Sequence, residues 1–459
     1  MLYNRSRILL QYLKGDAAMK IDSNAEIILS ELENHGFEAY MVGGCVRDTI
    51  MGRDYHDIDI TTNALPDEIL KVFSSYKVIP TGIKHGTVTV FCGGKPFEIT
   101  TYRIDGKYTD CRRPDSVEFT SDITADLTRR DFTINAAAMD KKGCIVDPFG
   151  GISDINNGII RCVGEPEKRF SEDALRIMRA VRFSSQLGFR IDSATADAVH
   201  RMKDLLQNIS HERIRDELDK LICGKNCINV LLDYSDVITS VIPEFKPSIG
   251  LDQCSPYHKY NVWEHTVRAL SSASENDLIL RRTLFFHDIG KPACMKFDET
   301  GRGHFKQHDR VGSEITEKVM KRLRYDTKSI SCSAALIANH SKKLRGRADV
   351  KKMMYRIGDE LFFSLIEMKK CDNLAKNEFV LEENRFFDEL AEMGREIVAA
   401  DECRSLKGLA VNGSELTVIG FQGAEIGEMQ RRLLELVMED KLPNTKEALI
   451  EYAEQERKK

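Results

Sequence analysis

Twelve cysteines are scattered through 459 residues, and no two form the CxxC pair from which structural zinc sites are commonly built. They read as small buried hydrophobes, and a reducing cytosol is the simplest home for them. No stretch approaches the roughly 18 uninterrupted apolar residues of a membrane span. The N-terminus does not combine a basic segment, an apolar run and a small-residue cleavage site. These features predict a cytoplasmic chain without a membrane partner. An excess of positive charge is also missing: 67 Lys and Arg stand against 72 Asp and Glu, for a formal charge of -5. Any nucleic-acid surface must then be a local patch offset by acidic faces elsewhere. Histidine is sparse, with 11 in the whole chain, which makes any cluster of them informative.

What is present is an ordinary globular mixture, 42% hydrophobic and 30% charged, with enough length for two to four modules because single cores rarely grow beyond about 250–300 residues. Short alternating segments dominate up to about residue 160. "FEAYMVGG" predicts a strand entering a glycine turn, "CVRDTIMG" a helix starting at that turn, and "DIDITT" a second strand. "ALPDEILKVF" predicts a helix opened by Thr62 or Asn63 with Pro66 in its first turn. "GTVTVFCGGKPFEITTYR" predicts a hairpin turning at Gly93 and Gly94. Beyond Pro166 helical periods take over, in "SEDALRIMRAVRFSSQLGF" and "HERIRDELDKLI". Pro243, Pro247 and Pro256 mark a break before a further helical unit.

Asp57 and Asp59, one residue apart in an alternating segment, leave the same face of a strand while Ile58 and Ile60 face the core. Two hard oxygen donors on one rigid face suit magnesium and phosphate chemistry. An acidic surface strand gives the same pattern, so the pair alone leaves both readings open. Gly43 and Gly44 permit a tight turn with exposed amides, and Arg47 follows inside the next helix, within reach of the same anion.

In order along the chain, "VGGCVRD", "DIDITT", "YRIDGKYTDCRRP", "ADLTRRDFTINAAAM", "DPFGG" and "EDALRIMRAVRFSSQLGF" resemble the bacterial class II tRNA nucleotidyltransferases, the CCA-adding enzymes and their poly(A) polymerase relatives. The resemblance spans roughly residues 37 to 225 and continues more weakly to the C-terminus. It implies an α/β head of the polymerase-beta-like type followed by an elongated, mainly helical neck, body and tail. The expected boundaries are an N-terminal extension to 24, the head at 25–160, the neck at 161–225, the body at 226–390 and a tRNA-binding tail at 391–459. The activity implied is template-free addition of C, C and A to a tRNA 3′ end from CTP and ATP, with magnesium as cofactor, pyrophosphate as product and no DNA partner. A poly(A) polymerase or A-only enzyme is the alternative, and an RNA-binding protein with relict sites is the non-enzymatic one.

Carried over residue by residue, the resemblance places Gly43, Gly44 and Arg47 at the triphosphate, Asp57 and Asp59 at the metal, and Glu98 as a third carboxylate. It places Arg130 against the nucleotide, with Asp131 and Asn135 organising the site and meeting the ribose. Asp173, Arg176, Arg179 and Arg182 fall at intervals of three on the predicted neck helix. Asp173 and Arg176 match the pair that imitates a template by reading the edge of C or A. Arg179 and Arg182 are expected at phosphates and RNA. The basic pair Arg112 and Arg113 lies in a segment that helps the family switch from C to A.

In the body, His265, His287 with Asp288, His308, His340 and Asp372 resemble the HD phosphohydrolase superfamily in its two-metal variant. This implies a site for a divalent transition metal or magnesium, with Lys291 as a phosphate-compatible charge. A decayed scaffold is the bland alternative. Lys407, Arg431 and Arg432 in the tail are candidates for RNA phosphates.

Overall fold

The computed structural model describes residues 21–55, 57–106 and 116–458. Arg112 and Arg113, and most of the expected N-terminal extension, lie outside them. The chain divides into two compact units, one ending at Val241 and the other beginning at Ile242. The helices Cys227–Asp233 and Ser235–Val241, just past the expected neck boundary, belong to the first unit.

The first unit is built on a seven-stranded mixed sheet. From edge to edge its strands are Lys77–Gly82, Thr87–Cys92, Lys95–Thr101, Asp59–Thr62, Ala39–Val42, Ala138–Met139 and Ile145–Val146. Every neighbouring pair is antiparallel except Asp59–Thr62 with Lys95–Thr101, which runs parallel. The predicted hairpin forms at Gly93 and Gly94, both at positive φ, the backbone that a two-residue turn between twisted strands requires. The helix Ser23–Asn34 contributes Ile28, Leu29 and Leu32 to a core shared with Val88, Val90, Phe97 and Ile99. Ile58 and Ile60 are buried in the same core, but the strand expected to carry both acids begins only at Asp59, so Asp57 stands just before it.

Two local expectations need correction. The helix Pro66–Val72 begins after Leu65, whose amide donates to the Glu68 carboxylate at 2.7 Å. Thr62 and Asn63 do not cap it, because Thr62 Oγ1 donates to the Glu38 carbonyl and Asn63 Oδ1 accepts from the Glu38 amide. The neck segment expected as one helix is two, Pro166–Glu172 and Leu175–Leu187. Asp173 sits between them with extended backbone (φ -138°, ψ 102°), and its carboxylate accepts from the Leu175 amide at 3.0 Å. An aspartate that bonds a nearby backbone amide competes with the helical ladder and favours such a break.

The helix Leu175–Leu187 packs against His211–Ile222. The second unit is helical apart from one short antiparallel pair, Lys296–Phe297 with Gly303–His304. Its C-terminal helices Gly413–Ile419, Ala424–Met438 and Lys446–Arg457 enclose a separate cluster that includes Leu416, Leu433, Leu434 and Leu449. Among the described residues no helix is long and apolar enough to cross a membrane.

Gly224 marks how tightly the neck closes. A Cβ built there would lie 2.1 Å from Ser185 Oγ and 2.6 Å from the Ser185 carbonyl carbon. Gly224→Ala is expected to destabilise the first unit by about 1–3 kcal/mol, the usual cost of overpacking, read as a lower urea midpoint with an unchanged m-value.

Candidate functional site

The parallel register sets Asp59 directly beside Glu98 on the neighbouring strand. Asp57, Asp59 and Glu98 are all exposed, while Ile58, Ile60 and Ile99 between them are buried. Burial raises the Asp59 pKa, Arg130 opposes the rise and Asp57 adds to it. The Glu98 pKa is also raised, by burial and then by Asp59 and Asp57. Two carboxylates whose ionisation is hindered, with the Asp57 carboxylate beside them, form a ready acceptor for a hard divalent cation, which would relieve the repulsion. Gly43 completes this corner at φ +81°: a Cβ there would come within 3.3 Å of Arg130 Nη1 and 3.6 Å of Asp59 Oδ2. The positive φ is what favours glycine here. Arg130 contacts the fully buried Asp126 at 3.7 Å, and its buried Nε lacks a hydrogen-bond partner.

A chain of ion pairs runs from this corner into the neck. Arg47 grips Asp48 through Nε and Nη2 and donates from Nη1 to Asn135 Oδ1 at 2.8 Å. Asn135 Nδ2 reaches Asp131 Oδ1 at 3.3 Å, and Asp131 Oδ2 accepts from Arg179 Nε at 2.8 Å. Burial would raise the Asp131 pKa, but Arg179 and the Phe132 amide hold it at about 2. Arg182 contacts Glu217 Oε2 at 2.6 Å and stacks 3.8 Å from the Phe183 centroid, a ring that Arg47 and Arg179 also approach. Arg176 donates to Glu172, to the Arg169 carbonyl and, at 2.9 Å, to the Arg129 carbonyl. Arg213 holds the Asp173 carboxylate at 3.0 Å.

The structure thus brings Asp57, Asp59, Glu98, Gly43 and Arg130 to one corner and links Arg47, Asn135, Asp131 and Arg179 in one network. Arg182 is turned inward, only 8% exposed, with Glu217 and Gln186 as partners. Sequence reasoning missed Arg213 and Glu217. Their signal was Glu217 among the apolar positions Ile214, Leu218 and Leu221 of an amphipathic helix, where a charge has to be paired.

In the second unit the six predicted ligands converge into two donor sets, His265 with His287 and Asp372, and Asp288 with His308 and His340. Within each set the donor atoms lie within 4.8 Å of one another. The Nδ1 atoms of His265, His287, His308 and His340 face the carbonyl oxygens of Ala375, Leu284, Phe305 and Ile337 at 2.7–3.1 Å. A carbonyl only accepts, so each Nδ1 carries a proton, and Nε2 is the ring atom that each histidine turns toward the donor set. His308 and His340 point these atoms at one another at 3.1 Å, and the buried His287 Nε2 and Asp288 Oδ2 lack hydrogen-bond partners. Such a donor set fits a divalent metal. Burial opposes a charge on His287, but Asp288 and Asp372 raise its pKa to about 9, whereas burial and the neighbouring imidazoles push His340 down to about 3. The donors open into a cavity of about 670 Å³ that also takes in His258, Lys291, Lys369 and Lys376. His258, absent from the predicted ligand set, packs half-buried against His265 with its buried Nδ1 lacking a hydrogen-bond partner.

Three family models match the chain: the poly A polymerase head domain over residues 39–161, the probable RNA- and SrmB-binding site of polymerase A over 188–249, and the putative tRNA nucleotidyltransferase domain 2 over 309–453. A CCA-adding enzyme of Lactobacillus helveticus is 35% identical over 448 residues, covering 96% of this chain and 99% of the relative. The chain belongs to the CCA-adding enzyme family. Among solved structures, the Bacillus stearothermophilus CCA-adding enzyme in complex with CTP is similar with a TM-score of 0.73 at 30% identity, covering 95% of this chain and 97% of that one. A Thermotoga maritima CCA-adding enzyme complexed with tRNA shares the fold at a TM-score of 0.58 and 20% identity. The predicted polymerase-beta-like head and helical remainder are those of the CCA-adding enzymes.

Asp131 sits at the centre of the charge network, and its low pKa gives that network a pH signature. The folded value of about 2 lies below the ~3.9 of an unfolded aspartate. Its contribution is therefore complete above about pH 4 and lost as pH falls toward 2. Asp131→Asn is expected to cost about 2–3 kcal/mol at neutral pH by leaving the partly buried Arg179 without its main anion. Urea unfolding of parent and variant should differ by that amount at pH 7, and the difference should shrink between pH 4 and pH 2.

Proposed function

We propose that this chain is a CCA-adding tRNA nucleotidyltransferase whose transfer site lies at the corner formed by Asp57, Asp59 and Glu98. The observation that carries this reading is the register of Asp59 beside Glu98, with Asp57 close enough to act on the charge of both. The substrates are a tRNA 3′ end, CTP and ATP. The 3′-hydroxyl oxygen bonds to the α-phosphorus, the bond to the β-phosphate bridge breaks, pyrophosphate leaves and the hydroxyl proton is released. Asp57, Asp59 and Glu98 would hold magnesium, which when bound supplies positive charge to the triphosphate and acidifies the hydroxyl. The protein's own contribution is alignment and preorganised charge.

Gly43, Gly44 and Arg47 receive the triphosphate, and Arg130 meets the nucleotide beside Asp59. Asn135 and Asp131 set the position of Arg47 and of the ribose. Asp173 accepts from the exocyclic amino group that cytosine and adenine share, while Arg176 donates to the adjacent ring nitrogen. Uracil and guanine present a carbonyl and a ring N–H at those places and meet like against like. Arg179 and Arg182 serve this reading as supports, since both are engaged by buried acids. The cytosol, suggested by the free cysteines, is the compartment we assign.

A second activity is favoured by the facing His308 and His340 Nε2 atoms. We assign the body a divalent-metal site held by His265, His287, Asp288, His308, His340 and Asp372, with hydrolysis of a phosphoester as its reaction. The metal when bound would supply an acidified water. Lys291, 2.7 Å from Asp288, and Lys376, 2.6 Å from Asp372, bring cations to the same floor, where the substrate phosphate would rest.

Asp59→Ala is expected to lower incorporation into a tRNA lacking its 3′ end by at least a hundredfold while tRNA affinity by filter binding stays within twofold. Unchanged incorporation would remove the transfer site from this corner. With CTP alone, ATP alone and both, A should appear only after C. Addition of A by ATP alone would favour the poly(A) alternative. His287→Ala should abolish manganese-dependent hydrolysis of a 2′,3′-cyclic phosphate and the manganese-induced rise in melting temperature while sparing nucleotide addition. An inert, metal-loaded parent would defeat the second activity.

A further inference from the structure

The mouth of the body cavity carries a short run of cations, Lys342, Lys343 and Arg345, in the segment between the helices Thr327–Asn339 and Arg347–Ile357. Their environment differs from that of other charges on this unit. Arg310 is matched by Glu314, Lys321 by Glu317, Lys352 by Glu439 and Lys370 by Asp388. Deeper in the cavity, Lys291 and Lys376 contact Asp288 and Asp372, and Lys369 donates to the His340 and Lys342 carbonyl oxygens. Among the described residues, Lys342, Lys343 and Arg345 have no carboxylate partner, and Lys343 and Arg345 are exposed. Beyond Asp288 and Asp372, the cavity lining holds one further carboxylate, Glu383. The half-buried rings of Phe386 and Phe387 line the same cavity, with Lys369 Nζ 5.8 Å from the Phe387 centroid.

We propose that this mouth receives the end of a single-stranded RNA two or more nucleotides long, with its terminal phosphate at the histidine–aspartate floor, a base against Phe386 or Phe387, and upstream phosphates on Lys342, Lys343 and Arg345. The proposal rests on the phosphohydrolase reading of the floor and names its substrate. A mononucleotide places its phosphate on the floor and leaves the rim cations unmatched. Each additional internucleotide phosphate supplies one of the missing anions, and aromatic side faces accept any base by stacking. Cations that track a backbone, joined to stacking rings, make a sequence-tolerant single-strand site.

The test compares the full-length parent with a Lys342→Glu, Lys343→Glu, Arg345→Glu variant shown by thermal melting to be folded. Anisotropy with a labelled tetraribonucleotide bearing a 3′-phosphate, and with the matching labelled mononucleotide, is read in EDTA so that hydrolysis does not intervene. The tetranucleotide should bind the parent at least tenfold tighter than the mononucleotide, and the variant should lose that advantage. The slope of log affinity against log salt should fall by about 2, from about 0.7 per lost contact. In manganese, the variant's KM for the tetranucleotide should rise with kcat unchanged. Equal affinity for the two lengths, or a variant that keeps its tetranucleotide affinity, overturns the proposal. So does a variant impaired only in tRNA extension, which would assign the rim to the transfer substrate. Rim-dependent binding without hydrolysis by manganese-loaded parent would reject the hydrolase reading and keep the RNA-end site. Mononucleotide hydrolysis with no rim dependence on either length would reject the rim and keep the hydrolase.

Discussion

The polar interior of the first unit depends on one buried carboxylate. Asp131 accepts from the Phe132 amide and Asn135 on one oxygen and from Arg179 on the other. It thereby ties a segment near the sheet to the helix Leu175–Leu187 and, through Asn135, to Arg47. A buried pair of this kind adds little net stability over apolar packing but is costly to break on one side. What it contributes here is geometry. Arg47, Arg179 and Arg182 all gather around the Phe183 ring, and three like charges can crowd one aromatic only if acids neutralise them. Asp48, Asp131 and Glu217 do so.

Against that balanced background, the groups left unbalanced are the ones available for chemistry. At the head corner Asp59 and Glu98 carry raised pKa values, and Arg130 has a buried donor without an acceptor. In the body, the facing imidazole nitrogens of His308 and His340 show the same thing in softer donors. Hard oxygens at one site and imidazole with carboxylate at the other follow the division between magnesium-type and transition-metal-type donors. The two sites share a principle rather than a ligand set: surrounding charges are satisfied so that the remaining mismatch is local.

Much of this was legible in the sequence. The alternation of Asp57 to Ile60 gave the exposed acids and buried isoleucines, although the strand itself begins only at Asp59; from there a strand with one buried face cannot slip by a residue. Gly93–Gly94 gave the hairpin because that turn needs positive φ twice. The six proposed body ligands came from a resemblance to the HD superfamily that rests on histidines rare enough for their order to be noticed, and the fold brings them together. Long-range pairing was not recoverable. Nothing local to "HERIRDEL" says that Arg213 meets Asp173, 40 residues earlier, or that Glu217 meets Arg182. The break at Asp173 was missed for the converse reason. Helical periodicity continues through "EDALRIMRAV", and the event that interrupts it is a single side-chain bond to the Leu175 amide.

That break bears on how a protein side chain can stand in for a template base. A carboxylate on a free helix face samples several rotamers, and a flexible acceptor satisfies many donors without discriminating among them. Asp173 has less freedom: its backbone is extended, one oxygen is held by the Leu175 amide, and Arg213 grips the carboxylate from a separate helix. Arg176, the proposed partner in base reading, is likewise held by Glu172 and two carbonyl oxygens. Discrimination by hydrogen bonds is large when the wrong partner leaves a buried group unsatisfied and that group cannot move to recover. The same helix, His211–Ile222, supplies Arg213 to Asp173 and Glu217 to Arg182, so a single element four residues apart sets the acceptor and one of the charges behind it. The proposed base-reading pair is thus held from behind by a helix that supplies neither of its members.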